Sequence, residues 1–327
     1  MPHGPTFNNP IVEQAADPWV WKHTDGHYYF MSTRRDRLEL TQSATLTGLA
    51  EGRKKTIWTP EAGGRYSYNL WAPEIHHLDN KWYIYFTAND GGGDESRQIC
   101  VLENVEPDPM EGEWEWKGAL PTPVPGLDGT VMTLGNQLYF LYAGYGHFPD
   151  YGSAIYIMRM SNPWTLTGDH VLLTAPTLSW EKQGGMAINE GPVILQRNGR
   201  IFLVYSASTT WSEDYALGML TMDETADPMD PLSWTKSMEP VFCKSVGNGV
   251  YATGHNSFTQ SPDGKEDWIV YHALPAPGAD TALRSTRIQK FDWKPDGTPD
   301  FGIPASDSEA IPIPSGESCM RIHNINE

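Results

Sequence analysis

Cysteine is scarce in this sequence: there are three in 327 residues, Cys100, Cys243 and Cys319, and no two of them form a Cys-x-x-Cys pair. That scarcity argues against a disulfide framework and against a zinc site. The sequence also lacks any run of about 18 apolar residues, which a membrane-spanning helix needs. Met1–Pro10 has no basic start followed by an apolar core, so no signal peptide is expected. We expect a soluble protein. The compartment, cytoplasmic or secreted as a mature domain, and the oligomeric state stay open.

Basic residues are few as well: 23 Lys and Arg stand against 41 Asp and Glu, a formal net charge of −18. A nucleic-acid-binding protein needs clustered Lys and Arg to contact phosphates, so nucleic acid is not an expected partner. Sugars and other neutral ligands are not repelled by this charge.

Helical periodicity is nearly absent, whereas short aromatic and β-branched runs recur between Gly, Asn, Asp and Pro residues. This pattern predicts an all-β fold. Five of the runs follow a tight turn whose residues tolerate positive φ: His27–Thr33, Lys81–Ala88, Gln137–Ala143, Arg200–Ala207 and Asp267–Ala273. The turns end at residues 26, 80, 136, 199 and 264, so they repeat every 54 to 65 residues.

A repeat of this length has room for four strands and predicts a β-propeller of five blades with an active-site funnel on its axis. We expect one domain over residues 1–327, with blades at about 15–60, 68–122, 126–175, 187–244 and 250–312. In the fourth blade, Pro240–Lys244 is expected to be the outer strand. A two-sheet sandwich is the rival architecture, but it does not predict so even a spacing.

Counting back eight or nine residues from the end of each turn reaches one residue per repeat: Asp17, Trp71, Asp128, Glu190 and His255. Because the first strand of every blade lines the axis of a propeller, these residues are expected to meet at one mouth of the channel. Each carboxyl taken singly favours a turn, a cap or a bulge. Asp and Glu are rare in strands and seldom buried without a partner or a function, so three at one phase favour a functional cluster.

Carboxyl groups gathered in a partly apolar cavity cannot all ionise, so one keeps its proton while another stays charged. Such a set supplies a general acid and a general base at the same pH, which is the pair that glycoside hydrolysis requires. Trp71 and other aromatic side chains near the first strands would offer flat faces to sugar rings.

His255 and Arg287 each allow two interpretations of their role. His255 is either a satisfied core histidine or an axial ligand of a cation or its water, although the spacing matches no dedicated metal motif. Arg287 lies on a strand expected to be buried, where its charge needs a carboxylate or hydroxyl partner. It is either a structural brace or a partner of the carboxyl cluster.

These residues lie in motifs that resemble glycoside hydrolase family 43, the five-bladed inverting arabinanases, arabinofuranosidases and xylosidases. The motifs occur in order from about Asn9 to about Gly302: ADPWVW (Ala16–Trp21), WAPEIH (Trp71–His76), LDGTVM (Leu127–Met132), NEGP (Asn189–Pro192), GHNSF (Gly254–Phe258) and RIQKFDWKPDGTPDFG (Arg287–Gly302). DP or NEGP alone is a weak signal, whereas the ordered set is specific.

The resemblance implies a role for each matched residue. Asp17 would be the general base that activates water, Glu190 the general acid, and Asp128 the residue that orients Glu190 and adjusts its pKa. Arg287 would bind ring hydroxyls, and Trp71 and Ala72 would shape the subsite. His255 would lie on the axis near a Ca²⁺ ion or water, and the chemistry would need no cofactor.

Within the family, the WAPEIH form, the stretch 162–184 and the DFG ending are most similar to exo-acting α-L-arabinofuranosidases. The resemblance therefore implies an inverting hydrolase that releases terminal α-L-arabinofuranosyl residues from arabinan or arabinoxylan-type oligosaccharides. A β-D-xylosidase and an endo-arabinanase are the alternatives on the same fold. A non-catalytic carbohydrate-binding propeller is the alternative from another class. A WD-repeat scaffold would repeat every ~40–45 residues with Trp-Asp dipeptides, which do not recur in this sequence.

Overall fold

The computed structural model describes residues 4–317, so Cys319 lies outside the described part of the chain. Over this range the chain forms five four-stranded antiparallel sheets and one two-stranded sheet. The helical segments in the same range are short 3-10 helices at Leu49–Glu51, Asp94–Ser96, Ser179–Gly185, Pro231–Ser233 and Thr281–Leu283. The predicted all-β, five-bladed propeller is confirmed.

Each blade is formed by four strands that follow one another in the sequence, after a short N-terminal strand β1 (Thr6–Phe7). Blade one contains β2 (Trp19–Lys22), β3 (Tyr28–Met31), β4 (Leu38–Ser43) and β5 (Arg53–Trp58). Blade two contains β6 (Tyr68–Leu78), β7 (Lys81–Asn89), β8 (Gln98–Asn104) and β9 (Glu115–Ala119). Blade three contains β10 (Gly126–Leu134), β11 (Gln137–Gly144), β12 (Ala154–Asn162) and β13 (Thr165–Thr174).

Blade four contains β14 (Asn189–Arg197), β15 (Arg200–Ala207), β16 (Ala216–Asp223) and β17 (Thr235–Lys236). Blade five contains β18 (Tyr251–Gln260), β19 (Asp267–Leu274), β20 (Ser285–Trp293) and β21 (Pro299–Asp300), and β22 (Ile311–Pro312) pairs with β1. The expected outer strand at Pro240–Lys244 is wrong. Phe242 makes only an isolated bridge to Leu217, and the fourth strand lies earlier in the chain, at β17.

The turns between first and second strands have the conformation that their residues favour. Asp79 and Asn80 both have positive φ, and so do Asn198 and Gly199. Two successive positive φ values give the turn type whose twist matches a two-residue β-hairpin. These turns fix the register of the first strand against the second, and they therefore fix which residues of the first strand reach the mouth of the channel.

Every pair of neighbouring blades encloses its own hydrophobic core, because the second strands are apolar on both faces. In β7, Trp82 and Phe86 pack in the core shared with blade one, whereas Tyr83 and Tyr85 pack in the core shared with blade three. The core between blades five and one also includes Ile311 near the end of the described range, so it closes the ring. No helix among residues 4–317 has the length and apolar character required to cross a bilayer.

Near the start of every first strand, an equivalent residue adopts a left-handed backbone with φ from 43° to 56°: Asp17, Ala72, Asp128, Gly191 and His255. Asn69 in β6 and Ala252 in β18 are also left-handed. A side chain of the preceding blade accepts a hydrogen bond from the N–H of each of the five equivalent residues. The acceptors are His272 for Asp17 (3.1 Å), Thr33 for Ala72 (2.8 Å), Thr87 for Asp128 (3.0 Å), Asp128 for Gly191 (3.0 Å) and Ser206 for His255 (2.7 Å). In β6, β10, β14 and β18 the same place carries a β-bulge, a device that redirects side chains.

These contacts between blades predict a measurable stability effect for Thr87→Val, which removes the hydroxyl but keeps the shape. The buried N–H of Asp128 then loses its acceptor, so urea denaturation should give a free energy of unfolding lower by about 1–3 kcal/mol. Thr235→Val, at an exposed position of β17, is the matched control and should change stability by less than about 0.5 kcal/mol. Equal stability of the two variants would contradict a structural role for the Thr87 hydroxyl.

Candidate active site

A cavity of about 240 Å³ opens where the first strands begin, at one end of the propeller axis. Residues from all five blades line it: Asp17, Thr33, Arg35, Trp71, Leu127, Asp128, Glu190, Thr210, Trp211, His255, Thr281 and Arg284. The five residues at the repeated phase of the sequence are all among them. A larger cavity of about 440 Å³ at the other end of the axis has no Asp or Glu in its lining. The carboxyl cluster therefore singles out the smaller cavity as the candidate active site.

The five phase residues are not structurally equivalent. In blades one, three and five the phase residue is itself the left-handed residue, whereas in blades two and four it comes one position earlier, before Ala72 and Gly191. A one-residue offset in an extended chain turns the side chain toward a different direction. Glu190 therefore leaves the backbone differently from Asp17 and Asp128, although the sequence spacing makes all three look alike.

Asp17 is 8% exposed and lies among cationic and polar groups. Its Oδ1 is 3.0 Å from Arg284 Nη1, and its Oδ2 accepts a hydrogen bond from the Thr33 hydroxyl at 2.6 Å. Burial alone would raise the pKa of Asp17, but Arg284, His255 and His272 together lower it well below the usual value. Asp17 is therefore ionised across the neutral range.

Glu190 lies in a different electrostatic environment. Its Oε1 accepts a hydrogen bond from the Tyr215 hydroxyl at 2.7 Å. Burial raises the pKa of Glu190 to about 7, and the negative charge of Asp17 adds to this effect, whereas the bond from Tyr215 and the charge of Arg284 oppose it. A carboxyl group with this pKa still holds a proton near neutrality, so it can act as an acid.

Asp128 lines the same cavity as the other two carboxyls and contacts the backbone of blade four. Its Oδ2 accepts the N–H of Gly191, directly after Glu190, at 3.0 Å. Burial, followed by the charges of Glu190 and Asp17, raises the pKa of Asp128 well above its usual value. The charged form of Asp128 is therefore disfavoured, whereas that of Asp17 is favoured.

His255 is buried beside the carboxyls, with its Nδ1 3.4 Å from Asp17 Oδ1 and 4.0 Å from Asp128 Oδ2. Burial lowers its pKa, so the ring is neutral near pH 7. Within residues 4–317 no group of three or more His, Cys, Asp or Glu side chains could hold a metal ion. Calcium takes six to eight oxygen ligands, and the surroundings of His255 do not provide a protein-built site of that kind.

Trp71 lines the cavity. The guanidinium of Arg97 covers a face of the ring, 3.8 Å from its centroid, and is held in turn by Asp94. A cation over an aromatic face stabilises the ring in one orientation.

Arg287 and Ala72 do not line the cavity. Arg287 donates to Ala305 O at 2.8 Å and to Asp307 Oδ1 at 2.7 Å, and the residue that reaches Asp17 is Arg284. The reason is the direction of the strand: β20 starts at the mouth, and Arg287 lies three residues, about 10 Å, farther along it. The expected position of Arg287 at the cavity is thus wrong, and Arg284 lines the cavity in its place; Ala72 lies outside the lining as well.

Three residues that contact the carboxyls were not predicted from the sequence: Arg284, His272 and Tyr215. A signal existed for the first two. Third strands run parallel to first strands, so the residue just before a third strand lies at the mouth, as Arg284 does. His272 occupies the position that Thr33, Thr87 and Ser206 occupy in other blades, seven or eight residues after the turn. Tyr215, from the segment that leads into β16, has no such repeat to mark it.

Comparisons with known proteins find relatives that match most of this chain. The profile of glycosyl hydrolases family 43 matches residues 7–299. An extracellular exo-α-(1→5)-L-arabinofuranosidase of Streptomyces avermitilis is 43% identical over 311 residues, which are 92% of this chain and 64% of that protein. An enzyme of the same name from Streptomyces chartreusis is 42% identical over 276 residues, 83% of this chain and 84% of that protein.

Solved structures share the fold. The crystal structure of an α-L-arabinofuranosidase from Lactobacillus brevis has a TM-score of 0.87 and 40% identity, over 93% of this chain and 98% of that one. A thermostable family-43 glycoside hydrolase has a TM-score of 0.78 and 26% identity, over 94% and 99% of the two chains. The chain spans about two thirds of the length of the Streptomyces avermitilis relative, 64%.

The raised pKa of Glu190 predicts how stability changes with pH. The folded protein keeps this proton up to about pH 7, while the unfolded chain loses it near pH 4.5. Folding is therefore penalised fully above pH 7 and not at all below pH 4.5, so Glu190→Gln should stabilise the protein at pH 8 by about 3 kcal/mol.

Urea denaturation of wild type and Glu190→Gln at pH 4 and pH 8 checks this expectation. Glu224→Gln, at an exposed position, is the control that should change stability equally at both pH values. A gain for Glu190→Gln that does not depend on pH would contradict the shifted pKa.

Proposed function

Because the chain belongs to glycosyl hydrolases family 43, we propose that it is an inverting hydrolase that releases terminal α-L-arabinofuranosyl residues from arabinan or arabinoxylan-type oligosaccharides. Its substrate would be an arabinose-containing oligo- or polysaccharide. The names of the relatives from two Streptomyces species and from Lactobacillus brevis support this substrate class. The size of the cavity supports exo attack, since 240 Å³ is below the about 300–1,000 Å³ of pockets that hold drug-sized ligands.

One observation carries the proposal: two carboxyl groups in the same cavity have pKa values displaced in opposite directions. Asp17 is held ionised by Arg284, while Glu190 keeps its proton to about pH 7. Displaced pairs of this kind mark acid and base assignments. Asp17 is the proposed general base and Glu190 the proposed general acid.

In the proposed reaction Glu190 donates its proton to the glycosidic oxygen as the bond from that oxygen to the anomeric carbon breaks. Asp17 takes a proton from a water molecule, whose oxygen bonds to the opposite face of the same carbon. The sugar leaves with inverted configuration, Glu190 is left ionised, and Asp17 is left protonated. An inverting pair needs room for this water, so we expect the two carboxyls to be roughly 6.5–9.5 Å apart.

Asp128 serves the acid rather than the reacting atoms in this proposal. Its bond to the N–H of Gly191 fixes the backbone next to Glu190, and its negative charge, when present, disfavours ionisation of Glu190. Arg284 is the proposed ligand of sugar hydroxyls in place of Arg287, and it also holds Asp17. Trp71 is the proposed apolar wall of the same subsite.

No step of the proposed mechanism uses a cofactor or a metal. A Ca²⁺ ion near His255 stays a prediction from the sequence. Its ligands other than His255 would be mainly water, because calcium prefers oxygen and the described residues form no metal-binding group there.

The substrate preference is tested with purified protein on an aryl α-L-arabinofuranoside, an aryl β-D-xyloside and a linear arabinan. We expect turnover of the arabinofuranoside and release of arabinose alone from arabinan. Preference for the xyloside would identify a xylosidase, and short oligosaccharides as early products would identify an endo-arabinanase. Binding of arabinan without hydrolysis would identify a carbohydrate-binding propeller and refute the proposal.

The roles of the two carboxyls are tested by substitution. Asp17→Ala should lower kcat/KM for every substrate by at least about 10²–10⁴-fold, because no leaving group can replace the base. Glu190→Gln should reduce turnover of methyl α-L-arabinofuranoside strongly and of a nitrophenyl arabinofuranoside least, since nitrophenolate leaves without a proton. Equal losses of Glu190→Gln on both substrates would contradict its role as the acid, and Glu224→Gln should leave both rates unchanged.

A further inference from the structure

The loop of residues 208–215, between β15 and β16, carries an aromatic side chain at the rim of the candidate active site. Trp211 is 53% exposed, and it is the one member of the exposed large apolar residues within 4–317 that lines this cavity. Exposed large apolar side chains next to a ligand cavity commonly serve binding. The three carboxyls in the lining of the same cavity have roles in the proposed reaction, whereas Trp211 has none so far.

Hydrogen bonds hold the outer side of this loop in place. The indole N–H of Trp211 donates to Gly184 O at 3.0 Å. The N–H of Thr209 donates to Gln183 O at 3.1 Å, and the N–H of Gln183 donates to the Ser208 hydroxyl at 2.9 Å. Trp211 is thus an exposed ring with a fixed position. A fixed aromatic ring loses little conformational entropy when a ligand stacks on it.

The inner side of the loop is tied to both reacting carboxyls. Arg284 Nη1 contacts Thr210 Oγ1 at 3.2 Å and Asp17 Oδ1 at 3.0 Å, so it joins the loop to the proposed base. The Tyr215 hydroxyl, at the end of the loop, donates to Glu190 Oε1 at 2.7 Å. The position of Trp211 is therefore set relative to the acid that protonates the leaving group.

We propose that the exposed face of Trp211 is the platform for the sugar unit next to the scissile bond on the leaving-group side, a pentosyl residue of the oligosaccharide. This inference rests on the proposed function. The terminal sugar fills the cavity above the carboxyls, and the next unit must leave the cavity past its rim. Trp71 lies in the cavity wall with one ring face covered by Arg97, whereas Trp211 presents an open ring at the exit.

The test compares two substrates that place the same sugar in the cavity. Methyl α-L-arabinofuranoside and α-1,5-L-arabinobiose both release a simple alcohol that needs a proton from Glu190, and only the disaccharide has a second ring. Trp211→Ala should lower kcat/KM for arabinobiose by about tenfold, mainly through KM, and change it for the methyl glycoside by less than about twofold. Trp211→Phe, which keeps a ring, should recover most of the loss.

Trp116→Ala is the matched control, because Trp116 is also an exposed tryptophan but lies in a separate groove with Trp58 and Tyr66. It should leave the ratio of the two kcat/KM values unchanged. Equal losses of Trp211→Ala on both substrates, or no loss on either, would overturn the platform. A wild-type protein that hydrolyses neither substrate would instead refute the proposed function, before any variant is compared.

Discussion

The geometry of the site depends on one repeated constraint, a buried backbone N–H in each blade that must find an acceptor in the blade before it. Four of the acceptors are side chains at the mouth end of second strands or just beyond: Thr33, Thr87, Ser206 and His272. In blade three the corresponding residue is Ala143, which has no side-chain acceptor. The carboxyl group of Asp128 instead accepts the hydrogen bond from the N–H of Gly191 in blade four. One of the three carboxyls is therefore also part of the contact between two blades.

The polar residues around the cavity explain why buried carboxyls are tolerated so close together. An isolated buried charge is costly unless it is paired and hydrogen-bonded. Asp17 has that compensation from Arg284 and Thr33, whereas burial raises the pKa values of Glu190 and Asp128 and so disfavours their charged forms. The cavity thus concentrates negative charge at one carboxylate and proton-donating capacity at another, which is the asymmetry that the proposed hydrolysis needs.

Periodicity alone predicted the blades and brought Asp17, Asp128 and Glu190 together, because turn chemistry and strand length repeat at the level of single residues. The spacing did not show that the left-handed residue of blade four is Gly191 rather than Glu190. A bulge changes the direction of a side chain without changing the spacing. Arg287 was chosen because its strand was expected to be buried and because of the family resemblance, and the direction of that strand relative to the mouth was not used. The Trp211 loop was invisible for another reason: its position depends on hydrogen bonds to residues 183 and 184, which no repeat connects to it.

The central claim is that Asp17 and Glu190, whose pKa values are shifted in opposite directions, act on opposite faces of one anomeric carbon in a single displacement. Proton NMR of the earliest product from an α-L-arabinofuranoside, recorded before the released sugar equilibrates, tests this directly. If the configuration is inverted, the β-anomer of arabinofuranose appears first. First appearance of the α-anomer would mean that configuration is retained, and it would contradict the assignment of Asp17 as a base that activates water.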